Sequence, residues 1–129
     1  MKPARHDLTI YQGDTFGLWF RIRLANGTVA DPPNIGDGYT FGRLTVRDTY
    51  GGTAQLVCDT DNGLLVLGLE TDASGAQWSG HATAGPEATD IEAWGDGVYD
   101  LKISDGVHVH TVLFGTARLH LASTEELPS

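Results

Sequence analysis

The chain has a single cysteine, Cys58, among its 129 residues. That excludes an internal disulfide and any paired-cysteine zinc site. Bases are few as well: eight Lys and Arg stand against 17 Asp and Glu, a formal net charge of −9. A surface of that sign repels phosphate backbones, which argues against a nucleic-acid partner. No apolar run approaches the ~20 residues that a membrane-spanning helix needs. The first residues, with Lys2, Arg5 and His6, carry no apolar signal region. The expectation is a protein made and kept in a cytoplasm, or exported without a signal peptide, with no membrane insertion. Long amphipathic helical faces are also missing. What the chain has in quantity is glycine, 17 residues of it, which favours a turn-rich all-β fold in one domain spanning residues 1–129.

Period-2 alternation fills most of the length and marks strands with one dry side. Residues 97–121 organise the rest as a β-hairpin. Tyr99, Leu101 and Ile103 share one face before an Asp105-Gly106 turn. Val107, Val109, Thr111, Leu113, Gly115, Ala117, Leu119 and Leu121 share one face after it. A strand this long predicts a bend or bulge at Gly115, carrying its end to a second layer.

Upstream, Leu8 and Ile10 precede a Gln12-Gly13-Asp14 corner. Phe16, Leu18, Phe20, Ile22 and Leu24 then make one apolar face, opposed by Thr15, Gly17, Trp19, Arg21 and Arg23. Asn26-Gly27 is a turn, and residues 31–38, with two prolines and two glycines, are a loop. Residues 39–48 resume as a strand with Leu44 and Val46 inward and Arg43, Thr45 and Arg47 outward. Ala54, Leu56 and Cys58 define the next. Asp61-Asn62-Gly63 reads as a hairpin turn into a return through Leu65, Leu67 and Leu69. Residues 71–94 lose the alternation and read as a loop with a short helical turn through Gln77-Trp78, capped by Thr71 or Asp72. Seven or eight strands spaced by turns predict an antiparallel β-sandwich of the immunoglobulin-like kind, with one short helical turn. Its core is expected to hold Phe16, Leu18, Phe20, Ile22, Leu44, Leu56, Leu67, Leu101 and Ile103.

Several motifs resemble active or metal sites in part. His108 and His110, two apart on a strand, share a face and would chelate zinc if His120 or Asp100 supplied a third ligand. An exposed pair with an interface role is the simpler reading. Asp59 to Gly63 has the flavour of a calcium loop, but its sixth position is Leu64 where glycine is needed, and no helices flank it. Cys58 has no His or Asn partner at a recognisable spacing and reads as a small core hydrophobe. Asp90, Glu92 and Asp96 surround Trp94, an arrangement able to hold sugar but one that acid-rich loops produce by chance. Nucleophile-elbow and phosphate-loop motifs are absent from the sequence. The expectation is a non-enzyme with no metal and no cofactor.

The order Leu8-Thr9-Ile10-Tyr11-Gln12-Gly13-Asp14-Thr15-Phe16, the alternation to Asn26-Gly27, Tyr39-Thr40-Phe41, Tyr99-Asp100-Leu101 and Leu113-Phe114-Gly115-Thr116-Ala117 resembles the N-terminal domain of phage upper baseplate proteins and related tail-associated β-sandwich modules. The likeness runs over nearly the whole chain, with longer segments at 31–38 and 71–94. It implies a structural virion protein of a tailed bacteriophage. Such a protein is synthesised in the bacterial cytoplasm and acts by protein–protein contact in a symmetric assembly, at the tail tip or baseplate. The alternatives are a host-surface glycan-binding module using Trp78 and Trp94, and a capsid decoration protein. Interface candidates are Trp19, Arg21, Arg23, Trp78, Trp94, His108 and His110. Trp19 admits two readings: covered by residues 71–94 or the N-terminal tail, or exposed as an anchor for a neighbour.

Overall fold

Strands and glycine-marked turns alternate along the described chain, residues 3–90 and 95–120 of a computed structural model. The strands are β1 Ala4–Arg5, β2 Leu8–Tyr11, β3 Phe16–Phe20, β4 Phe41–Arg47, β5 Ala54–Asp59, β6 Leu65–Thr71, β7 Gln77–Ala84, β8 Asp96–Ser104 and β9 Val109–His120. They form two sheets packed as a sandwich. The first runs β1-β9-β8-β4-β5, with β2 following β1 along β9; the second runs β3-β7-β6. Pairing is antiparallel except that β1 and β2 lie parallel to β9.

Parity assigns the core as the sequence leads one to expect. Phe16, Leu18, Phe20 and Ile22 are buried from one side, and Leu44, Val46, Leu56, Leu101 and Ile103 from the other. Burying Phe20 alone contributes about 1.5–3 kcal/mol. The Gln12-Gly13-Asp14 corner takes the chain from the first sheet to the second. It is pinned where the buried Thr89 hydroxyl donates to the Asp14 carbonyl at 2.5 Å. Leu67 is only partly buried against the core, and Leu24 and Leu69 are each 43% exposed, because β3 has ended before Leu24 and a bulge interrupts β6 before Leu69. Thr45, expected outward to solvent, is buried: β4 lies between β8 and β5, whose side chains shelter a small residue.

The largest correction concerns residues 71–94. They hold no helical turn at Gln77-Trp78; β7 begins there and is the middle strand of the second sheet. Its inward residues are small because their cross-strand partners are large: Phe16 faces Ala84, Leu18 faces Ala82 and Phe20 faces Gly80. A Cβ on Gly80 would lie 2.3 Å from the Val66 carbonyl oxygen and 2.7 Å from Phe20 Cζ. The short helical element is instead a 3-10 turn, Pro32–Asn34, in the loop that follows β3. The turn at 61–63 is not a hairpin, since β5 pairs in the first sheet and β6 in the second.

The β8–β9 hairpin forms, but Val112 is an extra residue between Leu113, which faces Leu101, and Thr111, which faces Lys102. This bulge reverses the parity before it, so Val112 is buried while Val109 is 63% exposed. Val107, expected on the same strand, lies in the 105–108 loop, where Asp105 N–H donates to the His108 carbonyl at 3.2 Å, and is 83% exposed. Strand β9 stays in the first sheet to His120, and Gly115 carries no bulge. It admits the N-terminal strap: a Cβ there would meet the His6 carbonyl oxygen at 2.4 Å and Asp7 Oδ1 at 2.8 Å. His6 N–H donates to the Phe114 carbonyl at 2.9 Å, Thr116 N–H donates to Asp7 Oδ1 at 3.0 Å, and the Tyr99 hydroxyl donates to the His6 carbonyl. Burial, helped by the Asp7 carboxylate, pushes that hydroxyl well above its ordinary pKa and keeps it a donor.

Candidate functional site

Five strand positions in β3 point Trp19 away from the core, on a face that the second sheet leaves open. Register decides what meets it there. Trp19 faces His81 on β7, and His81 faces Val66 on β6. The Trp19 and His81 rings lie 4.6 Å apart and those of Trp19 and Trp78 6.0 Å apart. Trp19 stays 42% exposed with Val66 at 41%. Neither reading of Trp19 therefore holds alone: residues of 71–94 flank it, and much of its ring still faces solvent.

The surround is braced by charge. The Arg21 guanidinium sits 3.7 Å over the Trp78 ring, a cation–π contact, and its Nε donates to the Gln77 carbonyl at 2.8 Å. Trp78 Nε1 donates to Asp72 Oδ2 at 2.8 Å. Donors from Ser74, Trp78 and Ala76 bring the Asp72 carboxyl down to about 2. His81 Nδ1 lies 2.6 Å from Glu70 Oε2, which fixes the ring against Trp19. A bulge in β6 between Leu67 and Glu70, with Gly68 at φ 152°, places that carboxylate. The result is two indoles and an imidazole whose orientations are set before any partner arrives, the arrangement that lowers the entropic cost of docking.

Trp19, Arg21 and Trp78 come together as candidates; the others do not join them. Arg23 Nη1 donates to the Gly27 carbonyl at 2.9 Å and serves the turn. Trp94 and Glu92 lie outside the described residues. His108 sits in the hairpin loop beside Asp105 at 3.1 Å, whereas His110 packs its ring 5.6 Å from that of Tyr39. The two histidines thus serve different neighbours, and His120 stacks on Tyr11 at 5.2 Å. Among the described residues no three of His, Cys, Asp and Glu converge as a metal set. Asp59 Oδ1 accepts the Asn62 N–H at 2.6 Å and Asp59 Oδ2 lies 3.3 Å from Arg43 Nε, so this turn carboxylate is already engaged. Asp96 is paired with Arg118 at 2.8 Å. Cys58 is fully buried and its thiol is pushed up to about 11, by burial first and the Asp59 charge second.

His81, Glu70 and Asp72 escape sequence reasoning because β7 carries no large apolar alternation. A readable signal is the even-numbered series Gly80, Ala82, Ala84, small residues that become a core face once large partners are known. A second feature lies on the outer side of the first sheet, an open groove of about 780 Å³ over β4, β8 and β9. Comparison with protein-family models finds none that matches the chain, and comparison with curated proteins finds no match.

Proposed function

We propose that this chain is a structural subunit of a tailed-phage particle, working at the tail tip or baseplate as an assembly or attachment module without catalysis of its own. The observation that carries the docking part of this reading is Trp19, exposed at the centre of a braced Trp78, Arg21 and His81 surround. Trp and Arg dominate interface hot spots, and rings held in place beforehand lose little freedom on contact. The phage assignment rests on the ordered likeness of the strand and corner motifs to upper baseplate domains. A rigid sandwich presenting the same face in many copies lets modest contacts add up across a symmetric assembly.

The glycan alternative draws less support through Trp78, since Arg21 covers one face of that indole and Asp72 holds its N–H. Capsid decoration is a sibling role, distinguished by position in the particle. The test is assembly with the Trp19→Ala subunit. Folded mutant protein left out of particles supports the reading, and equal incorporation of mutant and wild type refutes it. Locating the wild-type chain in an electron-microscopy map of the particle checks the phage assignment and its position separately.

A further inference from the structure

We propose that the groove on the outer face of the first sheet binds an acidic oligosaccharide, one whose sugar rings carry carboxylates. The groove is lined by Arg5, Arg47 and Lys102 with Asp100 the one acid among its walls. In a chain of net charge −9 with eight Lys and Arg, three of those bases gather here. Arg47 donates one N–H to the Gly52 carbonyl at 2.9 Å and makes no ion pair among the described residues. Arg5 lies 3.5 Å from Asp7 and Lys102 4.0 Å from Asp100, both on exposed side chains, so these weak pairs exchange readily for a ligand carboxylate.

The remaining lining selects among anions. Tyr50 stands 92% exposed at the rim and Phe114 39% exposed, supplying flat faces for sugar rings. Thr111 and Thr116 bring hydroxyls to the same surface. The floor is β4 and β8, each paired on both sides, and β9, whose residues 113–114 and 117–120 are covered by β1 and β2. A peptide strand is left only the short edge at residues 109–112 and loses most of the main-chain bonds that drive strand addition. A saccharide with spaced carboxylates and many hydroxyls matches cations, hydroxyls and aromatic faces together. The groove belongs to the opposite sheet from Trp19, so this inference stands apart from the docking reading.

The experiment is titration calorimetry of the full chain with oligogalacturonate, with neutral dextran oligomers, poly-glutamate peptide and inorganic phosphate as the other arms. Oligogalacturonate should bind, more weakly as salt rises, and the neutral oligomer should not. Lys102→Gln and Arg5→Gln should each weaken binding by roughly fivefold, the scale of a partly exposed charge pair. Tyr50→Ala should weaken it too, with the thermal melt of every variant unchanged, and Trp19→Ala should bind like wild type. No binding at millimolar oligogalacturonate overturns the proposal, as does binding that these substitutions leave intact. Equal or tighter binding of poly-glutamate or phosphate overturns the saccharide assignment in favour of a peptide or a simple anion.

Discussion

Replacing Gly115 by alanine tests why a glycine stands in the middle of the longest strand. Its backbone has no positive φ, so conformational strain plays no part. The obstacle is steric, since the new methyl would lie 2.4 Å from the His6 carbonyl oxygen and 2.9 Å from the His6 carbonyl carbon. Main chain cannot swing aside as a side chain does, so the strap of β1 and β2 must lift from β9. Lifting breaks the Tyr99–His6 bond and leaves a hydroxyl whose residue is 4% exposed without its acceptor. That costs about 1–3 kcal/mol, and the displaced packing a further ~1–3 kcal/mol. Loss of unfolded-state freedom at a glycine returns about 0.4–1 kcal/mol. The expected net is a destabilisation of ~2–4 kcal/mol, seen in urea unfolding and as a Tm fall of roughly 10 °C. Gly17→Ala is the control, because nothing lies within 4 Å of its added Cβ; it should be neutral or slightly stabilising. In the Gly115→Ala background Tyr99→Phe should recover part of that loss, since it removes the hydroxyl left without its acceptor. Unchanged stability of Gly115→Ala, or equal behaviour of the two glycine variants, would refute the reasoning.

Phe20→Ala empties a side chain 3% exposed and should cost about 3–5 kcal/mol in urea unfolding; a loss under ~1 kcal/mol would show that the two sheets are not closely packed there. Trp19→Ala removes a ring partner of His81 and should cost about 1 kcal/mol, enough to measure and too little to unfold the chain. Asp72 has its carboxyl lowered to about 2, so its hold on Trp78 is complete above the ordinary carboxylate range and is lost as pH falls through about 2. The Trp78 indole N–H resonance should therefore stay put down to pH ~3 and move below it, and Asp72→Asn should abolish that step. Cys58, buried with its thiol raised to about 11, should resist alkylation at pH 8 until the protein is unfolded. Fast labelling of native protein would contradict that burial.

Parity by itself determined most of the core. A strand's period of two sorts Phe16, Leu18, Phe20 and Ile22 from Trp19 and Arg21 before any partner is known, and the same holds for Leu101 and Ile103. The corner at Gln12-Gly13-Asp14 and the turn at Asn26-Gly27 were equally legible, because turn chemistry is local. The bulge at Val112 was not. It reversed the face of Val109, and such a slip depends on how β8 and β9 pair rather than on either strand alone. Strand β7 lay hidden because Gly80, Ala82 and Ala84 carry no hydrophobic signal until Phe20, Leu18 and Phe16 stand opposite them. Nor does a turn sequence tell a hairpin from a crossing between sheets, as residues 61–63 show. Trp19, Arg21 and Trp78 could each be singled out from the chain. Their meeting, and the completion of the patch by His81, Glu70 and Asp72, required β7 to lie between β3 and β6 in this register. That placement is non-local, set by the shape of the shared core, and only the tertiary structure decides it.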